Sequence, residues 1–283
     1  MCAIFGIGFL KGHGVHNSAL VHKLVRSLFV QNMVRGRTAS GLACVSYNKI
    51  DVIKKNVSAQ VFIDLPEYNE MELSSITLNN HHGNEQIEDS LRQPTMSIIG
   101  HCRLKTKGTE LDNRNNHPII CNNVVGVHNG CINNDDQLFN SYSDVIHRKG
   151  EVDSEIIFSL IDYFSNEVVI HEAIKKMATI TNGSFACAMV HREQPHIVWL
   201  FRRHNPCDIL LFEDIGLVVW SSEMSFIKTA VNDVLGNFTQ SKVIQFPINS
   251  GIGIDLCRNR IHHFKLDMPY YEVSKIENII NQL

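Results

Sequence analysis

The sequence predicts an α+β fold in which mainly antiparallel strands form sheets and the helices are grouped apart from them. Short apolar runs typical of strands outnumber helical patterns, and in the second half several such runs follow one another directly. Strands and helices do not alternate regularly, as they would in a parallel α/β sheet. At 283 residues, 44% of them hydrophobic, the chain is long enough for one large domain or two small ones.

The first part of the chain is predicted to begin with a strand and a helix. Residues 2–10 form an apolar run, and residues 18–34 carry leucine, valine and methionine at helical spacing. A hairpin is predicted for residues 41–47 and 51–55, whereas residues 64–94 are polar and predicted to be irregular.

Two helices separate the remaining strands into groups. Residues 153–164 place isoleucine, leucine and phenylalanine on one stripe, and a second helix is predicted at about 168–180. The other apolar runs are predicted strands: 97–103, 123–128, 184–191, 196–203, 207–212, 217–221, 243–246 and 260–266. Because no repeat or linker divides the chain, we expect one domain over residues 2–266 and a short C-terminal appendage over residues 267–283.

Composition argues against several classes of protein. A net charge of -3 offers no general attraction to nucleic acid or to a membrane surface. The chain has neither an apolar run near the ~20 residues that span a bilayer nor a secretory signal, so we expect a cytoplasmic location. Its eight cysteines form no C-x-x-C pair and lie mostly in apolar runs, which is typical of reduced, buried thiols. We therefore expect neither a metal nor a cofactor.

The cysteine directly after the initiator methionine is the first candidate for chemistry. Removal of Met1 leaves Cys2 with a thiol and a free α-amine on one residue, which together form a nucleophile and its base. The amine titrates near pH ~8, so it can accept and return a proton at neutral pH. The alternative is that Cys2 is a small hydrophobic residue at the start of a buried strand.

Two segments carry arginines that suit anion binding. In Arg35-Gly36-Arg37-Thr38-Ala39-Ser40-Gly41 the glycines permit a tight turn and the arginines can hold an anion, although an ordinary turn also explains the pattern. In Gly100-His101-Cys102-Arg103, Arg103 ends an apolar strand, where it suits bidentate capture of a carboxylate or a structural salt bridge.

Two further segments supply polar groups of other kinds. Asn129-Gly130 is either a hairpin turn or a side-chain amide beside a glycine N–H, a donor pair that stabilises an oxyanion. Asp153 is either a helix N-cap or a partner for an ammonium group. A thiol and an oxyanion hole suit the cleavage of an amide, whereas an arginine and an aspartate suit the carboxylate and the ammonium group of an amino acid. A substrate that has all of these groups is glutamine, which is the natural candidate.

The order and spacing of these segments resemble those of the class II glutamine amidotransferases, whose glutaminase domain is an N-terminal-nucleophile hydrolase. The resemblance extends from Cys2 to about residue 265 and includes similarity to the glutaminase domain of glucosamine-6-phosphate synthase (glutamine–fructose-6-phosphate aminotransferase). The segments that carry it are Met1–Gly6, Arg35–Gly41, Gly100–Arg103, Asn116–Pro118, Val127–Gly130, Asp153–Glu155, Gly183–Ala186 and Ser221–Glu223.

This resemblance implies a four-layer αββα sandwich, L-glutamine as substrate and a role for each candidate residue. Cys2 attacks the amide, and its own amine relays the proton. Asn129 and the Gly130 N–H stabilise the oxyanion, while Arg103 binds the substrate carboxylate and Asp153 its α-ammonium group. The other substrate-binding residues that we expect are Thr106, His117 and Arg35.

Three residues depart from the family pattern. Thr38 stands where an aspartate is usual, Leu104 where an aromatic residue gates ammonia transfer, and Lys107 where a histidine is usual. The departures put control of ammonia transfer in question more than glutamine hydrolysis itself.

The chain is too short to include the acceptor domains of the sugar-phosphate and related enzymes. We therefore expect ammonia to pass to an acceptor on a separate synthase subunit, as in a glutamine–fructose-6-phosphate aminotransferase-like system with a stand-alone glutaminase subunit. Two alternatives remain: an amide hydrolase acting on another γ-glutamyl or acyl-amide substrate, and a catalytically degenerate regulatory domain.

Overall fold

Two antiparallel sheets stack face to face, and helices cover the outer face of each sheet. The computed structural model describes residues 1–12, 18–77, 95–236 and 240–267. The predicted α+β class and the four-layer αββα order are therefore confirmed. The expected appendage over residues 267–283 lies, apart from its first residue, outside the described residues.

The elements are numbered along the chain. The strands are β1 (Ala3–Phe9), β2 (Ala39–Ser46), β3 (Ile50–Lys55), β4 (Thr95–Arg103), β5 (Ile119–Cys121), β6 (Val124–Ile132), β7 (Gly183–His191), β8 (Gln194–Arg202), β9 (Asp208–Phe212), β10 (Leu217–Ser221), β11 (Lys242–Val243), β12 (Ser250–Asp255) and β13 (Arg260–Lys265). The helices are α1 (Ser18–Asn32), α2 (Ala59–Phe62), α3 (Pro66–Thr77), α4 (Asp135–Ser141), α5 (Ser154–Ser165), α6 (Ile170–Ile180) and α7 (Met224–Leu235).

The strand order places β1 in the middle of the first sheet. That sheet runs β11-β9-β10-β1-β4-β2-β3, and the second runs β13-β12-β8-β7-β6-β5. Every residue of β1 is buried, and the strand pairs antiparallel with both β4 and β10. The segment that begins at Cys2 is therefore held on both sides by backbone hydrogen bonds.

Three layers of apolar side chains hold the sandwich together. One layer lies between the sheets, one packs β1, β2 and β4 against α1 and α7, and one packs β6 and β7 against α5 and α6. Packing within the first sheet is close at Gly6, where an added Cβ would lie 2.2 Å from the ring of Trp220 on the neighbouring strand β10. Since no side chain fits there, Gly6 is a packing requirement of the core.

The prediction that residues 64–94 are irregular is wrong for the part that the structure describes. Pro66–Thr77 forms a helix, and Tyr68 on it is fully buried. The Tyr68 ring meets Phe62 edge-on at 5.4 Å and Phe29 at 5.9 Å. Tertiary packing of aromatic rings stabilises a helix whose own sequence is mostly polar. Residues 78–94 lie outside the described residues.

The last predicted strands differ in extent from those observed. The strand predicted at 243–246 shortens to β11, because Ile244 and Phe246 bury their side chains between the sheets beyond the paired residues. Sequence patterns also missed β5, β12, α4 and α7. In β12, Gly251 and Gly253 leave space for aromatic rings of neighbouring strands, so one face of the segment carries glycine where a strand usually has larger side chains.

None of the helices in the described ranges is long and apolar enough to cross a membrane.

Candidate active site

The pairing of β1 with β4 brings Cys2 beside Arg103. Ala3 is opposite Cys102 in this antiparallel register, so the residue before β1 lies across from the last residue of β4. The Leu104 N–H lies 3.4 Å from the Cys2 Sγ and donates to it. Cys2 also interacts electrostatically with Arg103 and Asp153, although these three residues come from distant parts of the sequence.

The Cys2 thiol is protonated in this environment. Burial raises its pKa, and the Asp153 carboxylate adds to that shift. The Leu104 N–H, the Arg103 guanidinium and the chain's terminal ammonium group stabilise the thiolate and so lower the pKa. Their effect is smaller than that of burial, and the pKa of Cys2 stays raised. A nucleophile in this state needs a base, and the α-amine exposed by removal of Met1 can serve as one.

Arg35 contacts the backbone of the candidate nucleophile. Its Nε donates to the Cys2 carbonyl oxygen at 3.1 Å, and its Nη1 forms an ion pair with the Glu223 Oε1 at 2.6 Å. The adjacent Ser222 Oγ accepts a hydrogen bond from the Ile4 N–H at 2.9 Å. Arg35 therefore orients Cys2, and Glu223 is a partner that sequence reasoning missed although it lies in a segment with family resemblance.

The Arg103 guanidinium is buried and held from two sides. Nη1 donates to the Asn116 Oδ1 at 2.7 Å, while Nη2 donates to the carbonyl oxygens of Lys107 at 2.7 Å and Gly108 at 3.0 Å. Burial lowers its pKa, and the charges of Cys2, Glu110 and Asp153 oppose that shift. Two of its five N–H donors have no partner among the described residues, which leaves them for a ligand.

Asn129 and Gly130 lie inside β6, not in a hairpin turn. Gly130 has a φ of 155°, and an added Cβ would lie 2.0 Å from the Ser184 carbonyl oxygen, so only glycine fits. Asn129 is fully buried, yet within the described residues neither its Oδ1 nor its Nδ2 has a hydrogen-bond partner. A buried amide without partners is costly, and a bound ligand would supply what is missing.

Asp153 joins the end of β6 to the start of α5. Its Oδ2 accepts a hydrogen bond from the Ile132 N–H at 2.7 Å, and its side chain does not cap the helix that it precedes. The carboxylate is therefore fixed beside the strand that carries Asn129. The Asp153 charge acts on both Cys2 and Arg103, so the carboxylate lies in the neighbourhood of these two groups.

Buried imidazoles lie behind these groups. His117 stacks on His101 at 4.1 Å, the His101 Nε2 lies 3.0 Å from the His128 carbonyl oxygen, and the His128 Nδ1 lies 2.8 Å from the Ser154 Oγ. Burial lowers the pKa of His101 to about 3 and also lowers those of His117 and His128. All three are therefore neutral at pH 7 and act as packing groups. Thr106 is exposed on the loop after β4.

Acidic and soft side chains form no metal-binding group here: across the described ranges, no three His, Cys, Asp or Glu residues are placed to share an ion.

A half-buried lysine fixes the segment that carries Asn116 and His117. The Lys54 Nζ donates to the Asn116 carbonyl oxygen at 2.8 Å and to the Pro118 carbonyl oxygen at 2.9 Å. Burial lowers the pKa of Lys54 to about 8, against a small opposing effect of Cys121, Asp112 and Glu155. A neutral amine retains two N–H donors, so both contacts survive deprotonation.

The stability contribution of Lys54 should change with pH. Its pKa is about 8 in the folded chain and 10.5 when unperturbed, so between these values the unfolded state binds more protons and stability rises with pH. Relative to Lys54→Met, we expect the wild type to gain up to about 3 kcal/mol of unfolding free energy from pH 8 to 10.5. Urea titrations at both pH values measure this difference. The control is Lys55→Met, which changes the adjacent and more exposed lysine and should show no such gain. A stability difference between the wild type and Lys54→Met that does not change with pH would contradict the prediction.

Comparison with known proteins identifies the fold first. A glutamine phosphoribosylpyrophosphate amidotransferase from B. subtilis matches with a TM-score of 0.65 at 17% identity, covering 94% of this chain and 50% of that one. A structure described as the allosteric regulatory enzyme of purine biosynthesis matches with a TM-score of 0.66, also at 17% identity, covering 94% and 49%. The fold is that of the N-terminal-nucleophile hydrolases.

Sequence comparison narrows the class. Residues 101–229 match the family model described as a glutamine amidotransferase domain. Glutamine–fructose-6-phosphate aminotransferase (isomerizing) of Streptococcus pneumoniae is 36% identical over 134 residues, which are 46% of this chain and 22% of that protein. The Staphylococcus aureus protein of the same name is 32% identical over 111 residues, 38% and 18% of the two chains. The matched region thus spans about a fifth of these relatives, and this chain carries a glutamine amidotransferase domain in the region of residues 101–229.

Proposed function

We propose that this chain hydrolyses the side-chain amide of L-glutamine, with Cys2 as the nucleophile. The observation that carries the proposal is that strand pairing sets Cys2 across from Arg103, a cation, with an anion, the Asp153 carboxylate, near enough for its charge to act on both. An α-amino acid presents the complementary pair, a carboxylate for Arg103 and an ammonium group for Asp153. Glutamine fits because it adds an amide that a thiol can attack.

The reaction divides into two steps. The α-amine of Cys2 takes the thiol proton while Sγ bonds to the amide carbon, and Asn129 with the Gly130 N–H stabilises the resulting oxyanion. The carbon–nitrogen bond then breaks, and the ammonium group of Cys2 returns the proton to the departing ammonia. Water, deprotonated by the same amine, cleaves the thioester to release glutamate and the free thiol.

Three other residues have supporting roles in this proposal. Arg35 orients the nucleophile through the Cys2 carbonyl oxygen, and His117 supports the pocket by packing against His101. Thr106, on the exposed loop, lines the pocket when substrate is bound.

The free α-amine gives the first test. A chain extended at its N-terminus and cut by a protease directly before Cys2 should be inactive before the cut and gain at least about a hundredfold in glutaminase activity after it. Met1 is 66% exposed, so an extension projects into solvent without disturbing β1. Ammonia release measures the activity, and mass spectrometry confirms the new terminus.

The matched control carries the same extension and cleavage site on a Cys2→Ala chain, which should remain inactive after the cut. Full activity of the uncut wild-type chain would sink the proposal that the amine is the base. The same preparations compare glutamine with other γ-glutamyl and acyl-amide substrates. We expect glutamine to be preferred, and a faster reaction with an amide that lacks the α-amino acid group would favour the alternative hydrolase.

The finer part of the proposal concerns where the ammonia goes. Transfer to an acceptor bound by a separate synthase subunit predicts low glutaminase activity alone and stimulation when that partner is added. High, partner-independent turnover would contradict it.

A further inference from the structure

The loop over residues 104–108 contacts both the nucleophile and the carboxylate-binding arginine. Its first residue, Leu104, donates its backbone N–H to the Cys2 Sγ. Its last two, Lys107 and Gly108, accept hydrogen bonds from the Arg103 Nη2 through their carbonyl oxygens. The position of this loop therefore decides how the Arg103 guanidinium is aimed.

The side chain of Lys107 ties this loop to the start of α4. Its Nζ lies 2.6 Å from the Asp135 Oδ2 and 3.0 Å from both carboxylate oxygens of Asp136. The Asp135 side chain is only 5% exposed, whereas that of Lys107 is 38% exposed. A carboxylate buried to that extent is stable only with cationic or hydrogen-bonding partners, so the contact with Lys107 is worth more than a surface ion pair.

A second cation fixes the acidic pair from the other side. The Arg148 Nη1 lies 2.6 Å from the Asp136 Oδ1, and its Nη2 lies 3.3 Å from the Asp135 Oδ2. The same guanidinium donates to the carbonyl oxygens of Gly150 and Glu151. Because Arg148 holds them, the two aspartates form a fixed point to which Lys107 attaches the 104–108 loop.

We propose that Lys107 is a positioning residue for glutamine binding, because its ion pairs with Asp135 and Asp136 keep the 104–108 loop where its carbonyl oxygens aim Arg103. The inference rests on the proposed function, in which Arg103 binds the substrate carboxylate. Lys107 itself touches neither the thiol nor the reacting amide. Leu104, which donates to the thiol, directly follows Arg103, and Arg103 is held in β4 by strand pairing that does not involve Lys107. Loss of the Lys107 side chain should therefore weaken recognition of the carboxylate and leave the nucleophile unchanged.

The same loop offers a matched control. Lys105 forms an ion pair with the Glu110 Oε2 at 3.0 Å, and its side chain is 49% exposed. Lys105→Met and Lys107→Met remove the same charge from positions two residues apart, but only the second cuts the tie to α4. Lys107→Arg retains the cation and should therefore retain much of the wild-type affinity for glutamine.

The experiment compares labelling of Cys2 by two electrophiles in the chain with a free Cys2 terminus. 6-Diazo-5-oxo-L-norleucine carries the α-carboxylate and α-ammonium groups of glutamine, whereas iodoacetamide carries neither. For Lys107→Met we expect the rate with the glutamine analogue to fall about tenfold and the KM for glutamine to rise about tenfold, with kcat within about twofold. The iodoacetamide rate should stay within about twofold of the wild type, and Lys105→Met should change none of these values.

Several outcomes would overturn the inference. Unchanged analogue labelling in Lys107→Met would do so, as would an equal loss in Lys105→Met. Equal loss with both electrophiles would mean that Lys107 acts on the nucleophile or on the fold. Failure of the wild type to be labelled at Cys2 by the glutamine analogue is a different result, because it refutes the proposed function itself.

Discussion

Replacing Cys2 with alanine should abolish glutaminase activity, lowering kcat by about 10⁴-fold or more. Among the described residues, the groups around the Cys2 Sγ offer no second nucleophile, since Leu104 presents a backbone N–H and Arg103 a cation. The fold should survive, because the change removes one sulfur atom from a side chain that is 9% exposed at the start of β1. Ammonia release from glutamine measures the loss.

A measurement of glutamine binding shows whether Cys2→Ala has lost only its nucleophile or also its substrate-binding site. Since Arg103 and Asp153 remain in Cys2→Ala, glutamine should still raise its melting temperature. The glutamine analogue should label the N-terminal peptide of the wild type and leave the variant unlabelled. A Cys2→Ala chain with full activity would refute the assignment of Cys2 and revive a different nucleophile, and failure of both chains to bind glutamine would favour a degenerate regulatory domain.

Replacing Asn129 with leucine should lower kcat and leave the folded state intact. In the proposed reaction its amide donates to the oxyanion, and removing one such donor costs about 10²–10³-fold in kcat. Its Nδ2 and Oδ1 are buried and, within the described part of the chain, without hydrogen-bond partners. An apolar side chain of similar size removes that penalty, so the unfolding free energy should stay the same or rise by about 1 kcal/mol.

Asn32 provides the contrast in stability. It is equally buried, but its Nδ2 donates to the Leu28 carbonyl oxygen and its Oδ1 accepts from the Ser221 Oγ. Asn32→Leu should therefore lower the unfolding free energy by about 1–3 kcal/mol, because it leaves partners unpaired. Steady-state kinetics and urea denaturation of both variants test the pair of expectations. If Asn129→Leu lost stability and kept its kcat, its amide would be a structural group and the oxyanion assignment would be wrong.

Some of the fold could be predicted because its signals are local. The apolar runs of β1, β4 and β6 and the helical stripe of α5 depend on neighbours along the chain, and the structure has each of them within a few residues of the prediction. The same patterns failed at α3, where a buried Tyr68 stabilises the helix, and at β12, where glycines make room for distant aromatic rings.

The candidate site divides in a similar way. Cys2, Arg103, Asn129 and Asp153 were expected from motifs and chemistry alone. The antiparallel register that sets Cys2 across from Arg103, and the position of Asn129 within a strand instead of a turn, became visible only in the structure. Strand pairing is a contact between residues about a hundred positions apart, which no local pattern encodes.

By itself the sequence determined the class of fold, the catalytic chemistry to expect and the residue types that supply it, because these follow from composition, periodicity and short motifs. Only the tertiary structure decided that Arg35 holds the Cys2 backbone and that Lys107 ties its loop to Asp135 and Asp136. Such roles depend on the partners that each charge meets. Those partners are set by how the two sheets and their loops pack, since burial and hydrogen-bond geometry are properties of the folded chain.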